Sequence, residues 1–267
     1  MRQAEAAVLA ALESHPELSS SQLRDLAPIV DVKIHVGGAG RWGTDAPVGP
    51  RLLTILSAAG LAVRANNRGG WNASRPMWTS MARWLGSALD RPDPAAGIAQ
   101  MTRVWLSAFG PGTANDLKWW LGVRSTDVKR ALADVDAVQV ELDGDVGYLL
   151  PDDLDPVADI EPWVALLPAL DPTTMGWADR GWYLGPHRAV LFDTTGNAGP
   201  TAWSNGRVVG GWHQDPSGTV VLDVIEKITK AVRQQLEGEA AELTDWLAGE
   251  RVLPRFPSPL FKAAAAR

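Results

Sequence analysis

One order of elements is legible twice in the first 155 residues, and this repetition limits the fold more than any other feature of the chain. Apolar residues at Ala7, Val8, Leu9 and Leu12 predict a helix ending near Ser14, where His15-Pro16 stops it. Ser19 with Gln22 three residues later is a capping-box pattern, and it opens a short helix over Gln22–Ala27 that Pro28 halts. Val48–Ala59 predicts a third helix, with Gly60 just past its end. Leu61–Arg64 and Gly70–Trp78 are extended runs around Asn66-Asn67-Arg68-Gly69, a turn of residues that tolerate positive φ.

After the proline-rich link Arg91-Pro92-Asp93-Pro94 the order returns. Ile98–Phe109 is an amphipathic helix broken by Gly110-Pro111-Gly112. Thr113 with Asp116 caps a short helix through Leu121, Gly122 turns the chain, and Ser125 caps a further helix to Leu132. Ala137–Leu142 then alternates as a strand, Asp143-Gly144 is a hairpin turn, and Tyr148–Leu150 returns. Helix, turn, second helix and hairpin is the order of a winged helix.

From Glu161 the texture changes to short apolar runs between turns. These runs are Trp163–Leu167, Ala189–Phe192, Thr201–Trp203, Val208–Trp212 and Val220–Val224. Their spacing predicts a small antiparallel barrel or meander. A helix over about 229–247 follows, Arg251–Phe256 reads as a closing strand, and the tail from Lys262 reads as frayed. The expected fold class is therefore α+β, with tandem winged-helix modules followed by a small antiparallel β-barrel-like domain. The expected boundaries are 1–90, 95–155 and 160–267.

Composition removes several chemistries. With 46% hydrophobic and 21% charged residues the chain can bury a core. It has no cysteine, which excludes thiolate metal sites, disulfides and a cysteine nucleophile. The four histidines, His15, His35, His187 and His213, are scattered, so neither a metal site nor a cofactor is expected. No apolar run approaches the roughly 20 residues that span a bilayer, and acids interrupt the apolar start. A cytoplasmic monomer with no membrane contact is expected.

The formal net charge of −6 is unevenly distributed. Lys33, Arg41, Arg51, Arg64, Arg68, Arg75 and Arg83 face a single acid, Asp45, so residues 33–83 net +6. Residues 133–161 carry ten acids and no Lys or Arg, a net of −10. Phosphates respond to local positive potential rather than to net charge, so the basic segment points to double-stranded DNA as the partner. The candidate contacts are Arg41 in its glycine-rich loop and the first hairpin's Arg64, Asn66, Asn67, Arg68 and Arg75. On the second module they are Arg124, Ser125, Thr126, Lys129 and Arg130, at the start or on one face of the helix from Ser125. The acidic hairpin that follows this helix would repel DNA if it lay on the same side.

Gly38–Gly43 matches G-x-G-x-x-G, but Asp45-Ala46-Pro47 intervenes where a helix should open, and Gly60–Val63 lacks the required acid. A dinucleotide site is rejected. Tryptophan supplies 13 of the aromatics against 2 Tyr and 4 Phe. Trp105, Trp119 and Trp163 lie on apolar faces and read as core, whereas Trp42 and Trp71, set among glycine and arginine, could stack on bases. His187, Asp171 and Asp193 fit turn capping or core hydrogen bonding.

Three phrases carry a family resemblance: Phe109–Thr113 with Asp116–Trp120, Leu166–Trp177 around Leu-Pro-Ala-Leu-Asp-Pro, and Gly206–Trp212. They resemble the bacterial winged-helix DNA-binding proteins related to the DNA glycosylases AlkZ and YcaQ. The resemblance implies tandem winged helices and a C-terminal barrel around a duplex-sized channel, with excision of alkylated or crosslinked bases by some members. It also associates the chemistry with a Gln-X-Gln or Gln-X-Asp motif in an additional N-terminal winged helix, and this chain begins where the following module would begin. Gln3, Gln22, Gln100, Gln139, Gln214, Gln234 and Gln235 include no pair with that spacing, and none is followed two residues later by Asp.

Three readings stand at this point. The first is a duplex-DNA-binding protein that recognises alkylated damage. The second is a glycosylase in which a carboxylate such as Asp171, near Arg180, orients water and stabilises charge on the sugar. The third is a winged-helix protein-interaction module.

Overall fold

The computed structural model describes residues 2–37, 43–69, 73–90 and 92–265. The chain divides into two compact units, Met1–Arg91 and Pro92–Arg267.

In the first unit, α1 (Arg2–Ser14) buries Ala4, Val8, Ala11 and Leu12 at helical spacing. After β1 (Leu18–Ser19), α2 (Ser20–Leu26) opens on the expected capping box: Gln22 N–H donates to Ser19 Oγ at 3.3 Å, and Ser19 N–H to Gln22 Oε1 at 2.9 Å. A 3₁₀ turn over Pro28–Asp31 leads into a two-stranded ladder of β2 (Lys33–Val36) and β3 (Thr44–Pro47). Then come α3 (Val48–Ala58), β4 (Ala62–Asn67), β5 (Pro76–Ser80) and α4 (Met81–Leu85). The antiparallel sheet runs β1-β5-β4, so the last strand is central. Leu12, Leu23, Leu52, Leu56 and Trp78 form the core beneath it, each buried aliphatic side chain contributing about 1.5–3 kcal/mol.

The second unit starts with the same logic. Asp93 accepts from the Ala95 and Ala96 N–H groups and caps α5 (Pro94–Phe109). β6 (Gly112–Thr113) and α6 (Ala114–Leu121) follow. Asp116 N–H donates to Thr113 Oγ1 at 3.1 Å, while Thr113 N–H donates to Asp116 Oδ2 at 2.9 Å. Gly122 takes φ +65°, and α7 (Ser125–Asp134) leads to β7 (Val138–Leu142) and β8 (Asp145–Leu149). Asp143 and Gly144 both have positive φ, as a two-residue hairpin turn of this kind requires. The sheet order, β6-β8-β7, again makes the last strand central. Trp105, Leu106, Leu117, Val128 and Leu132 pack together underneath.

The remainder holds β9 (Val164–Leu167), α8 (Pro172–Met175), α9 (Gly181–Leu184), α10 (Arg188–Leu191), β10 (Thr201–Ser204), β11 (Arg207–Gln214) and β12 (Val220–Val224). Two helices complete it, α11 (Lys230–Leu247) and α12 (Pro259–Ala265). The strands form an open antiparallel meander in the order β12-β11-β10-β9, which corrects the barrel expectation. The sheet has no need to close on itself. Leu236, Ala240 and Leu247 of α11 cover Ala202, Val209, Trp212 and Val220, and α12 packs against β11 and α10.

Three local expectations fail with it. Ala189–Phe192 falls largely within α10 rather than a strand, because Leu191 and Phe192 are buried against Tyr183 and Leu184 in a compact helical turn. Arg251–Phe256 forms no strand: Pro254 lacks an N–H, and Val252 N–H goes instead to Gln214 Oε1 at 2.8 Å. The tail is helical through Ala265. Among the described residues no helix is long and apolar enough to cross a membrane, and no group of His, Asp or Glu could hold a metal ion.

Candidate nucleic-acid interface

The hairpin β4–β5 carries most of the first unit's candidates. Arg64 pairs in register with Trp78, and the ladder then slips by one residue, so that Asn67 faces Pro76. The Arg64 guanidinium lies 5.4 Å from the Trp78 ring centroid, on the lining of a cleft of about 470 Å³ whose apolar floor includes Leu23 and Leu53.

Asn67 braces the turn. It accepts from Arg75 N–H at 2.8 Å and donates to the Ala73 carbonyl, while Arg68 N–H donates to the Arg75 carbonyl at 2.9 Å. Asn66 donates to Glu17. The two asparagines thus shape the turn and leave its cations outward. Arg51, Arg64, Arg68 and Arg75 are exposed and enter no ion pair among the described residues. Arg41, Trp42 and Trp71 lie outside the described residues.

Helix α7 of the second unit is differently arranged. Ser125, Thr126 and Lys129 are exposed, but Ser125 is the first helical residue and makes no capping bond. Arg124 Nε donates to Asp127 Oδ2 at 3.1 Å, and Arg130 Nη2 lies 3.6 Å from Asp127 Oδ1. The hydrogen bond from Arg124 holds the Asp127 carboxyl below its ordinary range. Sequence reasoning missed Asp127, although the spacing Arg124, Asp127, Arg130 places all three on one helical face. Glu141, Asp143 and Asp145 on the following hairpin are exposed, as are all five acids from Asp152 to Glu161. Lys129→Ala combined with Arg130→Ala should therefore change duplex affinity less than about threefold, measured by fluorescence anisotropy; a tenfold loss would return this helix to the interface.

Asp171 sits at the start of α8, half-buried, and accepts from Thr173 N–H at 2.8 Å. It makes no ion pair with Arg180 among the described residues. Asp171→Ala should cost about 1 kcal/mol in urea unfolding through the lost cap, while Asp171→Asn, itself a good cap, should stay near wild type. Asp193 accepts from Thr195 and Asn197, and His187 bonds Glu226 at 2.9 Å, so both serve local structure. Trp105 is buried, but Trp119 and Trp163 are partly exposed, contrary to their reading as core.

The profile of the DNA glycosylase AlkZ-like family matches residues 1–246. Among solved structures, Streptomyces sahachiroi DNA glycosylase AlkZ is similar with a TM-score of 0.73 at 20% sequence identity, over 94% of this chain and 67% of that one. No curated protein sequence matches the chain. That structural likeness concerns the fold, whereas the profile spans nearly all of the sequence: the chain belongs to the AlkZ-like DNA glycosylase family.

Proposed function

We propose that this chain binds duplex DNA, chiefly through phosphate contacts from the basic segment 33–83, and that it serves recognition of alkylated damage. In this reading residues 1–90 and 95–155 are tandem winged helices. The shared order of helices and strands, with the last strand central in both sheets, supports that reading. The β4–β5 hairpin is the DNA-facing wing.

One observation carries the proposal. Arg51, Arg64, Arg68 and Arg75 are exposed and outside any ion pair among the described residues on the first unit, whereas at α7 Arg124 and Arg130 are tied to Asp127, which leaves Lys129 alone outside an ion pair there. Unpaired surface arginines of this density release condensed counterions when they meet phosphates, and this release drives sequence-independent binding. Family membership supports a repair role.

Family membership also favours a second reading, excision of the damaged base. Asp171 is then the candidate carboxylate. One oxygen is used in its cap, and the other has no hydrogen-bond partner among the described residues. A water oriented by that oxygen could attack the sugar as the base leaves.

Anisotropy with undamaged and alkylated duplexes across a salt series, scored for abasic-site formation, tests both readings. Four phosphate contacts predict a slope of about −3.6 in log K against log salt. Steep binding without base release supports the binding protein, and base release abolished by Asp171→Asn supports the enzyme. Salt-insensitive or absent binding would turn the account towards a protein partner.

A further inference from the structure

We propose that Arg180 and Arg188, with the exposed ring of Trp119 beside them, form a second phosphate site that takes the phosphodiester of a nucleic-acid backbone. The proposal rests on the DNA reading above. It assigns binding residues to the second unit, where Arg124 and Arg130 at α7 are tied to Asp127.

Arg180 is only 5% exposed. Its guanidinium carbon lies 4.7 Å from the Trp119 ring centroid and 5.2 Å from that of Phe192. Nη2 donates to the Met175 carbonyl at 3.3 Å, and Nε is buried with no partner. The exposed Arg188 places its guanidinium 5.4 Å from the same Phe192 ring. Neither arginine enters an ion pair among the described residues.

A buried cation is normally matched by a carboxylate, because leaving it unmatched in a low-dielectric site is costly. Aromatic faces offset part of that cost without cancelling the charge. Burial depresses the Arg180 pKa and the positive charge of Arg188 adds to the effect, while Tyr183 and the charge of Asp116 offset only part of it.

The carboxylates of Asp116, Asp179, Asp193 and Glu226 make their hydrogen bonds elsewhere, that of Asp179 to Gly181 N–H at 3.1 Å. Asp116 accepts from Thr113 N–H, Thr113 Oγ1 and Ala178 N–H. Asp193 is consumed by its own turn, and Glu226 serves His187 and Arg207. Two guanidinium groups therefore flank one phenylalanine ring with no carboxylate in ion-pair contact among the described residues.

The aromatic surroundings favour a nucleic-acid phosphodiester over free phosphate. Trp119 is 43% exposed, so an unstacked base next to the bound phosphate would meet its indole on the side away from Arg180. Free phosphate would use the arginines alone. The planar guanidinium suits either anion, so the aromatic ledge is the distinguishing element.

The test uses the full chain and three probes: a short duplex, a single-stranded oligothymidylate and inorganic phosphate. Arg188→Ala changes an exposed side chain, and an unchanged Tm would verify its fold. It should weaken binding of both nucleic acids about threefold to tenfold and reduce the magnitude of the salt slope by about 1. Trp119→Leu should weaken the oligothymidylate more than the duplex. Arg180→Lys, which keeps charge but loses the planar fork, should also weaken nucleic-acid binding.

Wild-type affinity retained in Arg188→Ala, while Arg64→Ala/Arg68→Ala loses it, overturns the second site and leaves the DNA reading standing. Failure of the wild type to bind either nucleic acid overturns the DNA reading and the phosphodiester assignment together. Thermal stabilisation by inorganic phosphate that depends on Arg188, without oligonucleotide binding, also overturns the phosphodiester assignment, in favour of a free-anion site.

Discussion

Gly210→Ala is expected to destabilise the second unit by about 3 kcal/mol or more, the upper end of what overpacking costs. Gly210 lies in β11 opposite Val224 of β12 on one side and Ala202 of β10 on the other. A Cβ placed there would stand 2.4 Å from the Asp223 carbonyl oxygen and 2.9 Å from Val224 Cα. Both are backbone atoms, so no rotamer change relieves the overlap. The strand must move instead, and with it the pairs Gly211–Asp223 and Trp212–Leu222. The register slip at Ala202/Trp203 faces the same position, so β10 is already irregular where accommodation would be needed. Urea unfolding followed by tryptophan fluorescence measures the destabilisation. A Gly210→Ala variant with the wild-type midpoint would contradict this close approach of β11 to β12.

The second large effect concerns binding. Arg64→Ala combined with Arg68→Ala should lower duplex affinity on the order of tenfold to a hundredfold at low salt, equally for all sequences. It should also reduce the magnitude of the salt slope by about 1.8, or about 0.9 for each phosphate that is no longer neutralised. Stability should be nearly untouched, because both side chains are exposed and neither enters an ion pair among the described residues. Arg64 also stacks on Trp78, so a small drop in Tm from this residue alone is consistent with the account. Anisotropy on undamaged duplex reads the effect, and unchanged affinity would remove the β4–β5 hairpin from the interface.

Much of the architecture is legible in the sequence because its signals are local. The capping boxes at Ser19/Gln22 and Thr113/Asp116 mark two helix starts, and Asp143-Gly144 marks a hairpin, since each depends on atoms within a few residues. The phrase ending in Gly210-Gly211-Trp212 stands out in the sequence, and the close approach of neighbouring strands gives it a physical reason.

The features that the sequence misrepresents depend on distant partners. A four-residue apolar run such as Ala189–Phe192 has no period that separates strand from helix, and Tyr183 and Leu184 decide the outcome. Arg251–Phe256 has the composition of a strand, but its hydrogen-bond partner is the side chain of Gln214, far away in the chain. The candidate interface is legible as charge but not as pairing. Residues 33–83 stand out at once, while the neutralising role of Asp127 and the unpaired state of buried Arg180 require geometry.

Amide hydrogen exchange of the full chain with and without a short undamaged duplex tests the central claim most directly, because it reads which backbone the DNA covers. The account predicts slowed exchange along β4, β5 and the turn between them, with no change across β7 and β8. Protection confined to the acidic β7–β8 hairpin, or none at all under conditions where the duplex is bound, would contradict it.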